Sequence, residues 1–241
     1  MNAYGNSNIG KVRSTNQDCF GVIENNNNDL LCFVCDGIGG GKAGDVASAL
    51  TKSIMIEAFD KAKEINSDID ANNFLKSTIA KINDEIFIKS SESIDFKGMG
   101  TTLVGVLITN NKCFSFNIGD SRLYGVYKNE LVLLTEDHNV YSHLIKNEGM
   151  TQEEASKSKN AKLLTNALGV YDKVCIDIEV IKKDFKYLLL CSDGLYGFVS
   201  EEIICEVLYK NESIEKKVNE LIEISNEMGG YDNVTVLILE R

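Results

Sequence analysis

The sequence predicts an α+β fold, with antiparallel strands and helices segregated into layers, on three observations. Apolar runs of strand length follow one another in succession. Asparagine-rich pairs such as Asn110-Asn111 and Asn129-Glu130 supply tight turns between them. Amphipathic helices come in pairs instead of alternating with single strands, which argues against a doubly wound parallel sheet.

Taken in order, residues 19–24 form the first strand. The asparagine run 25–28 makes a hairpin loop into a second strand at 30–35. Residues 45–65 are helical, with Val46, Ala49, Leu50, Ile54 and Ala58 on one side. A second helix over 73–89 presents Phe74, Leu75, Ile79, Ile82 and Ile86. Four strands follow at 101–109, 112–118, 123–128 and 131–134. The polar stretch 140–158 is helical in pattern, and Thr151 with Glu154 fits a capping box. Strands at 174–180 (alternating Val174, Ile176, Ile178, Val180) and 187–191 precede helices at 201–209 and 214–228. Gly229-Gly230 then leads to a last strand at 234–239. With no linker and no internal repeat, residues 1–241 read as a single domain.

Composition narrows the function. Hydrophobic residues are 44% and charged residues 25% of the 241, as in an ordinary soluble globule. Acidic residues outnumber basic ones by 36 to 25, a formal net charge of −11, which disfavours nucleic acid and anionic membrane as partners. No apolar run approaches the ~20 residues of a membrane span, and no signal peptide opens the chain, so a cytoplasmic location is expected. Seven cysteines are scattered through the sequence. Cys32 and Cys35 form a lone C-x-x-C inside the apolar run LLCFVCD, which fits core packing better than a redox or zinc motif. Two histidines, His138 and His143, cannot furnish a histidine-rich metal site.

The chemistry lies in four aspartates placed where apolar runs meet glycine turns: Asp36 in LLCFVCDGIGGG, Asp120 in CFSFNIGDSR, Asp193 in YLLLCSDGLYGF and Asp232 in GGYDNVTVLIL. One Asp-Gly pair is an ordinary turn former. Four at strand ends point to carboxylates gathered on one rim of a sheet, where their repulsion needs a cation. An all-oxygen donor set suits Mg²⁺ or Mn²⁺. Four carboxylates exceed what one Mg²⁺ usually takes, so two ions sharing a bridging carboxylate fit, with phosphate as the natural substrate. Arg13 in KVRSTNQD could grip two phosphate oxygens with its planar fork; by spacing alone it also fits a solvated surface arginine. Arg122, just after Asp120 and Ser121, fits a structural partner for the acidic rim.

Together these blocks resemble the metal-dependent protein phosphatase 2C (PPM) family in its compact bacterial form. The matching segments, in order, are KVRSTNQD, VCDGIGGGKAGDVAS, GMGTTLVGVLI, FNIGDSRLYG, LTEDHN, LLTNALG, LLLCSDGLYGFVS and GGYDNVTVLIL, spread from residue 11 to residue 239. The resemblance implies a four-layer αββα sandwich and hydrolysis of phosphoserine and phosphothreonine by direct attack of a dimetal-bridged water. It implies that Asp36 bridges two Mn²⁺ or Mg²⁺ ions, with the Gly37 carbonyl on the first and Asp193 and Asp232 on the second. Asp18 would reach the metals directly or through water, and Asp120 with Asp193 would border a third, weaker ion. Arg13 matches the phosphate-gripping position, and residues 140–162 match a flap that influences substrate choice. Phosphorylated proteins as substrates, a partner serine/threonine kinase and a monomeric state come from the same resemblance.

The chain departs from the family pattern in places. Gln17 stands where many members have Glu. Gly41 stands where bacterial members often have a histidine able to protonate the leaving oxygen, and Asn166 stands for a common Arg at the flap anchor. Two rival readings remain. One is a catalytically weak or dead member that binds phosphoproteins. The other is dinucleotide binding through Gly39, Gly41 and Gly44 as G-x-G-x-x-G, although Asp36 at the strand end would repel a pyrophosphate. A P-loop fails, because Ala43 follows Lys42 where Ser or Thr belongs.

Overall fold

The structure, a computed structural model, describes residues 1–40, 43–128 and 130–241. Its strands are β1 (Asn2–Asn8), β2 (Asp18–Glu24), β3 (Leu30–Ile38), β4 (Gly100–Thr101), β5 (Leu103–Ile108), β6 (Cys113–Ile118), β7 (Arg122–Tyr127), β8 (Glu130–Leu133), β9 (Asp177–Ile181), β10 (Tyr187–Cys191) and β11 (Val234–Glu240). Its helices are α1 (Ala43–Asp60), α2 (Asp68–Ser91), α3 (Val140–Glu148), α4 (Gln152–Ser156), α5 (Asp193–Tyr196), α6 (Glu201–Tyr209) and α7 (Ile214–Glu227). One sheet runs β1-β11-β10-β7-β8. The other runs β2-β3-β5-β6-β9, with β4 added beside β3. Every strand pairing is antiparallel.

Alternation along the strands explains the layering. In β3, Leu31, Phe33 and Cys35 point to one core with α1 and α2, while Cys32 and Val34 point to another. That second core lies between the sheets, where Val104 and Val106 meet Leu188, Leu190, Leu237 and Leu239. Leu189, Val236 and Ile238 face the third core, under α6 and α7. Central strands buried on both faces therefore read as continuous apolar runs. The result is the α+β, four-layer αββα sandwich that the sequence led us to expect.

Several boundaries moved. β1 was not anticipated, because NAYGNSN lacks apolar alternation; it is an edge strand held by backbone pairing from Asn2↔Glu240 to Asn8↔Val234. The helix expected over 45–65 ends at Asp60, although Ile65 still packs into the core. The helical stretch 140–158 is two helices, because Gly149 takes φ 69 and caps α3. Thr151 and Glu154 do form the capping box, at the start of α4. The strand expected over 174–180 begins only at Asp177. Asn129 of the expected turn, and Gly41 and Lys42 of the glycine-rich loop, lie outside the described residues.

Candidate active site

Each predicted aspartate sits at the same end of the sandwich, for a local reason. Asp36 is near the end of β3 and lies directly across from Asp18, the first residue of β2. Asp120 follows β6 in a turn whose Gly119 takes φ 103, a conformation other residues rarely hold. Asp193 opens α5 two residues after β10 ends, and Asp232 lies just ahead of β11. β10 and β11 run antiparallel with Cys191 beside Val236, so those two turns meet. Arg13, Asp36, Gly37, Asp120, Asp193 and Asp232 all line one cavity of about 430 Å³. Asp18 lies behind it, almost wholly buried. Gly37 is required by close approach: a Cβ there would overlap the Gly44 carbonyl oxygen and crowd the Gln17 carbonyl.

The field in the cleft is strongly negative. Burial, then the nearby Asp18, Asp193, Asp120 and Asp232, push the Asp36 carboxyl well above its ordinary range. Burial lifts Asp18 to about 7, against the hydrogen bond from Ser192. Asp120 is raised to about 7 by burial and by Asp193 and Asp137. Asp193 rises through burial and Asp232, with Lys162 and Arg13 opposing. Arg13 donates from Nη2 to Asp232 Oδ2 at 2.8 Å. Its guanidinium is half exposed at the cleft rim and held more firmly protonated by that aspartate.

These residues fit hard cations in kind. The donors are all oxygen, and Asp18 Oδ1 is buried with no hydrogen-bond partner, a lone pair that a cation or its water shell would satisfy. As the side chains stand, no three His, Cys, Asp or Glu among the described residues are arranged to hold one ion. Arg13 already engages one of these carboxylates, Asp232.

The turns are cross-tied by residues that sequence reasoning did not single out. Thr102 Oγ1 accepts from the Asp36 N–H at 2.9 Å and lies 2.7 Å from Ser121 Oγ, joining the Asp36 and Asp120 turns. Ser192 Oγ donates to Asp18 Oδ2 at 2.6 Å, joining Asp18 to the Asp193 turn. Asn233 accepts from the Gln17 N–H at 2.8 Å and donates to the Ile9 and Thr15 carbonyls, pinning the Arg13 loop to Asp232. The signal was available: each lies in or directly beside one of the motif blocks, as a small hydroxyl or amide residue. Gln17 lines the cleft and donates from Nε2 toward the Gly39 carbonyl.

Other residues weighed from the sequence fall outside the acidic cluster. Arg122 binds Asp137 through two hydrogen bonds of 2.9 and 2.7 Å and stacks on Tyr196, whose hydroxyl donates to the Asp120 carbonyl. It is a structural partner of the rim, as expected. His138 accepts at Nδ1 from the Gly119 N–H and from Asn166, and its Nε2 lies 2.9 Å from Asp177. Asn166 also bonds the Cys175 backbone through both ends of its amide, so it anchors the segment leaving the flap. Lys162, at the flap's end, reaches the cavity wall.

An acid-lined cleft with a guanidinium at its rim, built at the common end of two antiparallel sheets, suits a hydrolase that handles phosphate through hard cations. Comparison with known proteins makes the class specific. Residues 5–235 match the protein phosphatase 2C family. The chain is 36% identical to the serine/threonine phosphatase stp of Listeria monocytogenes serotype 4b (strain F2365), covering 100% of this chain and 96% of that protein. It is 31% identical to a putative protein phosphatase of Mycoplasma genitalium, covering 98% and 93%. Among solved structures, Staphylococcus aureus Stp1 superimposes with a TM-score of 0.91 at 31% identity, covering 99% and 94%. The S. agalactiae serine/threonine phosphatase gives 0.93 at 30%, covering 100% and 99%.

The chain belongs to the protein phosphatase 2C family. It is a protein phosphatase of a metal-dependent family, and the dinucleotide-binding reading is set aside. No described helix is long and apolar enough to cross a membrane.

Proposed function

We propose that the chain hydrolyses phosphoserine and phosphothreonine in proteins, reversing a serine/threonine kinase of the same cell, as a cytoplasmic monomer formed by a single domain over 1–241. The observation that carries this reading is the convergence of Arg13, Asp36, Asp120, Asp193 and Asp232 on one cavity. The chemistry of the donors supports Mn²⁺ or Mg²⁺, held as two ions by Asp18, Asp36, Asp193, Asp232 and the Gly37 carbonyl, with a third position beside Asp120 and Asp193. When bound, such ions supply the Lewis acidity that activates water and offsets the charge of the phosphate.

The chain's own groups do the rest. Arg13 turns its fork from Asp232 to two phosphate oxygens, fixing the phosphorus for in-line attack. The Thr102, Ser192 and Asn233 ties hold the acidic turns in place, so little reorganisation accompanies the reaction. The flap over 140–162 borders the cleft and brings Lys162 to its wall, where it meets the protein substrate around the phosphorylated residue. Protonation of the leaving oxygen falls to water, since His138 is tied to Gly119, Asn166 and Asp177 away from the cavity.

The test is phosphate release from a phosphothreonine peptide with Mn²⁺, with EDTA and with Mn²⁺ restored. Release that depends on Mn²⁺ and is lost in Asp193→Asn is the expected result. Tight phosphopeptide binding without turnover would instead identify a catalytically dead binding module.

A further inference from the structure

The C-x-x-C run directs attention to Cys32 and Cys35, but three residues along a strand place them on opposite faces. Cys32 packs between the sheets, and Cys35 packs under α1. The true neighbour of Cys35 is Cys19, directly across the β2–β3 ladder and one step from the Asp18–Asp36 pair. The two side chains pack on the same face, against the core under α1, and Cys19 Sγ donates to the Ser48 carbonyl of α1 at 3.2 Å. Residues paired across an antiparallel ladder have Cα atoms roughly 4.5–5.5 Å apart. Disulfides span about 4.4–6.8 Å between Cα atoms, so the pair is within reach. Their Cβ atoms sit about 3.8 Å apart, closer than ladder partners stand, so the bond pulls the two strands together locally. Cys19 is partly exposed and Cys35 fully buried, which orders the chemistry: an oxidant meets Cys19 first, and Cys35 resolves it.

We propose that Cys19 and Cys35 form an oxidative modification site at which a hydroperoxide makes a cross-strand disulfide directly beside the Asp18–Asp36 pair. In the first step the Cys19 sulfur attacks one peroxide oxygen. The O–O bond breaks, a sulfenic acid forms, and the second oxygen leaves as water with the thiol proton. In the second step the Cys35 sulfur attacks Cys19 sulfur, the S–O bond breaks, and a second water departs with the Cys35 proton. Two thiols and one hydrogen peroxide thus give one disulfide and two waters, with two electrons passing from sulfur to oxygen.

The consequence follows from position. The S–S bond draws β2 and β3 together one residue from Asp18 and Asp36, and it removes the Cys19–Ser48 contact. Ser48 also donates to the Gln17 carbonyl at 2.6 Å, next to Asp18. The spacing of the two acids changes, and divalent-cation affinity falls. This last step rests on the metal-holding role proposed for Asp18 and Asp36.

The experiment treats the reduced full-length protein with hydrogen peroxide, maps disulfides by non-reducing peptide mass spectrometry, and titrates Mn²⁺ calorimetrically before and after. The expected result is a Cys19–Cys35 linked peptide that forms ahead of any other. Mn²⁺ affinity should fall on the order of tenfold, the range seen when the support of a metal ligand is disturbed, and dithiothreitol should reverse both changes. Cys19→Ser should abolish the linked peptide and make Mn²⁺ binding indifferent to peroxide, while Cys175→Ser, at an exposed site, should behave as the parent. Absence of the linked peptide in folded protein, or its formation with unchanged Mn²⁺ affinity, would overturn the proposal. If the reduced protein binds no Mn²⁺ but still forms the link, the metal reading of Asp18 and Asp36 fails and the modification site stands.

Discussion

Replacing Arg13 by alanine should weaken substrate binding and strengthen metal binding, two effects of opposite sign from one side chain. Toward phosphate, the loss is that of hydrogen bonds to a charged group, about 1.5–3 kcal/mol, or roughly 10- to 150-fold in KM. Toward metal, the structure shows Arg13 Nη2 at 2.8 Å from Asp232 Oδ2, with about half of the arginine side chain exposed. Pairs this exposed are worth about 0.2–1 kcal/mol after solvent screening, so freeing Asp232 should raise Mn²⁺ affinity by no more than about fivefold. Linkage makes the coupling reciprocal: in the parent, Mn²⁺ loading should release Arg13 and improve phosphate binding by the same factor. The assay combines steady-state hydrolysis of an aryl phosphate at saturating Mn²⁺ with calorimetric Mn²⁺ titration. An unchanged KM, or a lower Mn²⁺ affinity in Arg13→Ala, would refute this account of the ion pair.

Three further outcomes follow. Asp36→Asn should lower kcat by at least on the order of 10²–10³, yet its melting temperature in EDTA should equal or exceed the parent's, because a buried charge facing four other carboxylates is lost. In EDTA the parent should lose stability as pH rises. Asp18 and Asp120 are raised from 3.8 to about 7 in the folded state, so the fold binds more protons than the unfolded chain within that window. The contribution is full below 3.8 and gone above about 7, and thermal melts across that range, with and without Mn²⁺, should show a fall in stability that Mn²⁺ flattens. Gly37→Ala should cost about 1–3 kcal/mol, because its methyl overlaps the Gly44 carbonyl, and a melt no lower than the parent's would contradict the close approach.

What the sequence revealed follows from which forces act locally. Apolar alternation and turn residues are local, so the central strands, the paired helices and the Thr151–Glu154 cap were readable. The acidic rim was readable because each Asp ends an apolar run beside a glycine. β1 was not, since its place depends on backbone bonds to β11, more than 200 residues away, and its side chains carry no pattern. Nor could spacing decide whether Arg13 was a surface residue: its partner Asp232 is 219 positions on. The Cys19–Cys35 pairing was hidden for a different reason. It depends on strand register, which the asparagine loop sets, while the closer pair in sequence was the wrong one.

The cross-ties explain how a rim of mutually repelling acids can be built at all. In the absence of a cation, burial and mutual repulsion oppose bringing Asp18, Asp36, Asp120 and Asp193 together, and Lys162 and Arg13 offset this only in part, at Asp193. The opposing force comes from neutral groups whose geometry does not depend on the ion. Thr102 and Ser121 bind one pair of turns, Ser192 binds Asp18 to the opposite sheet, and Asn233 binds the arginine loop. All three ties use buried hydroxyls or amides, where a hydrogen bond left unmade costs most. Ser192 stands apart because its acceptor is Asp18 itself, and its Oγ also accepts from the Thr235 N–H. Ser192→Ala would therefore strip a buried carboxylate of one of its few donors while leaving every acidic residue in place. That distinguishes a rim held by its scaffold, which would lose metal affinity in this variant, from one assembled by the ion alone, which would not.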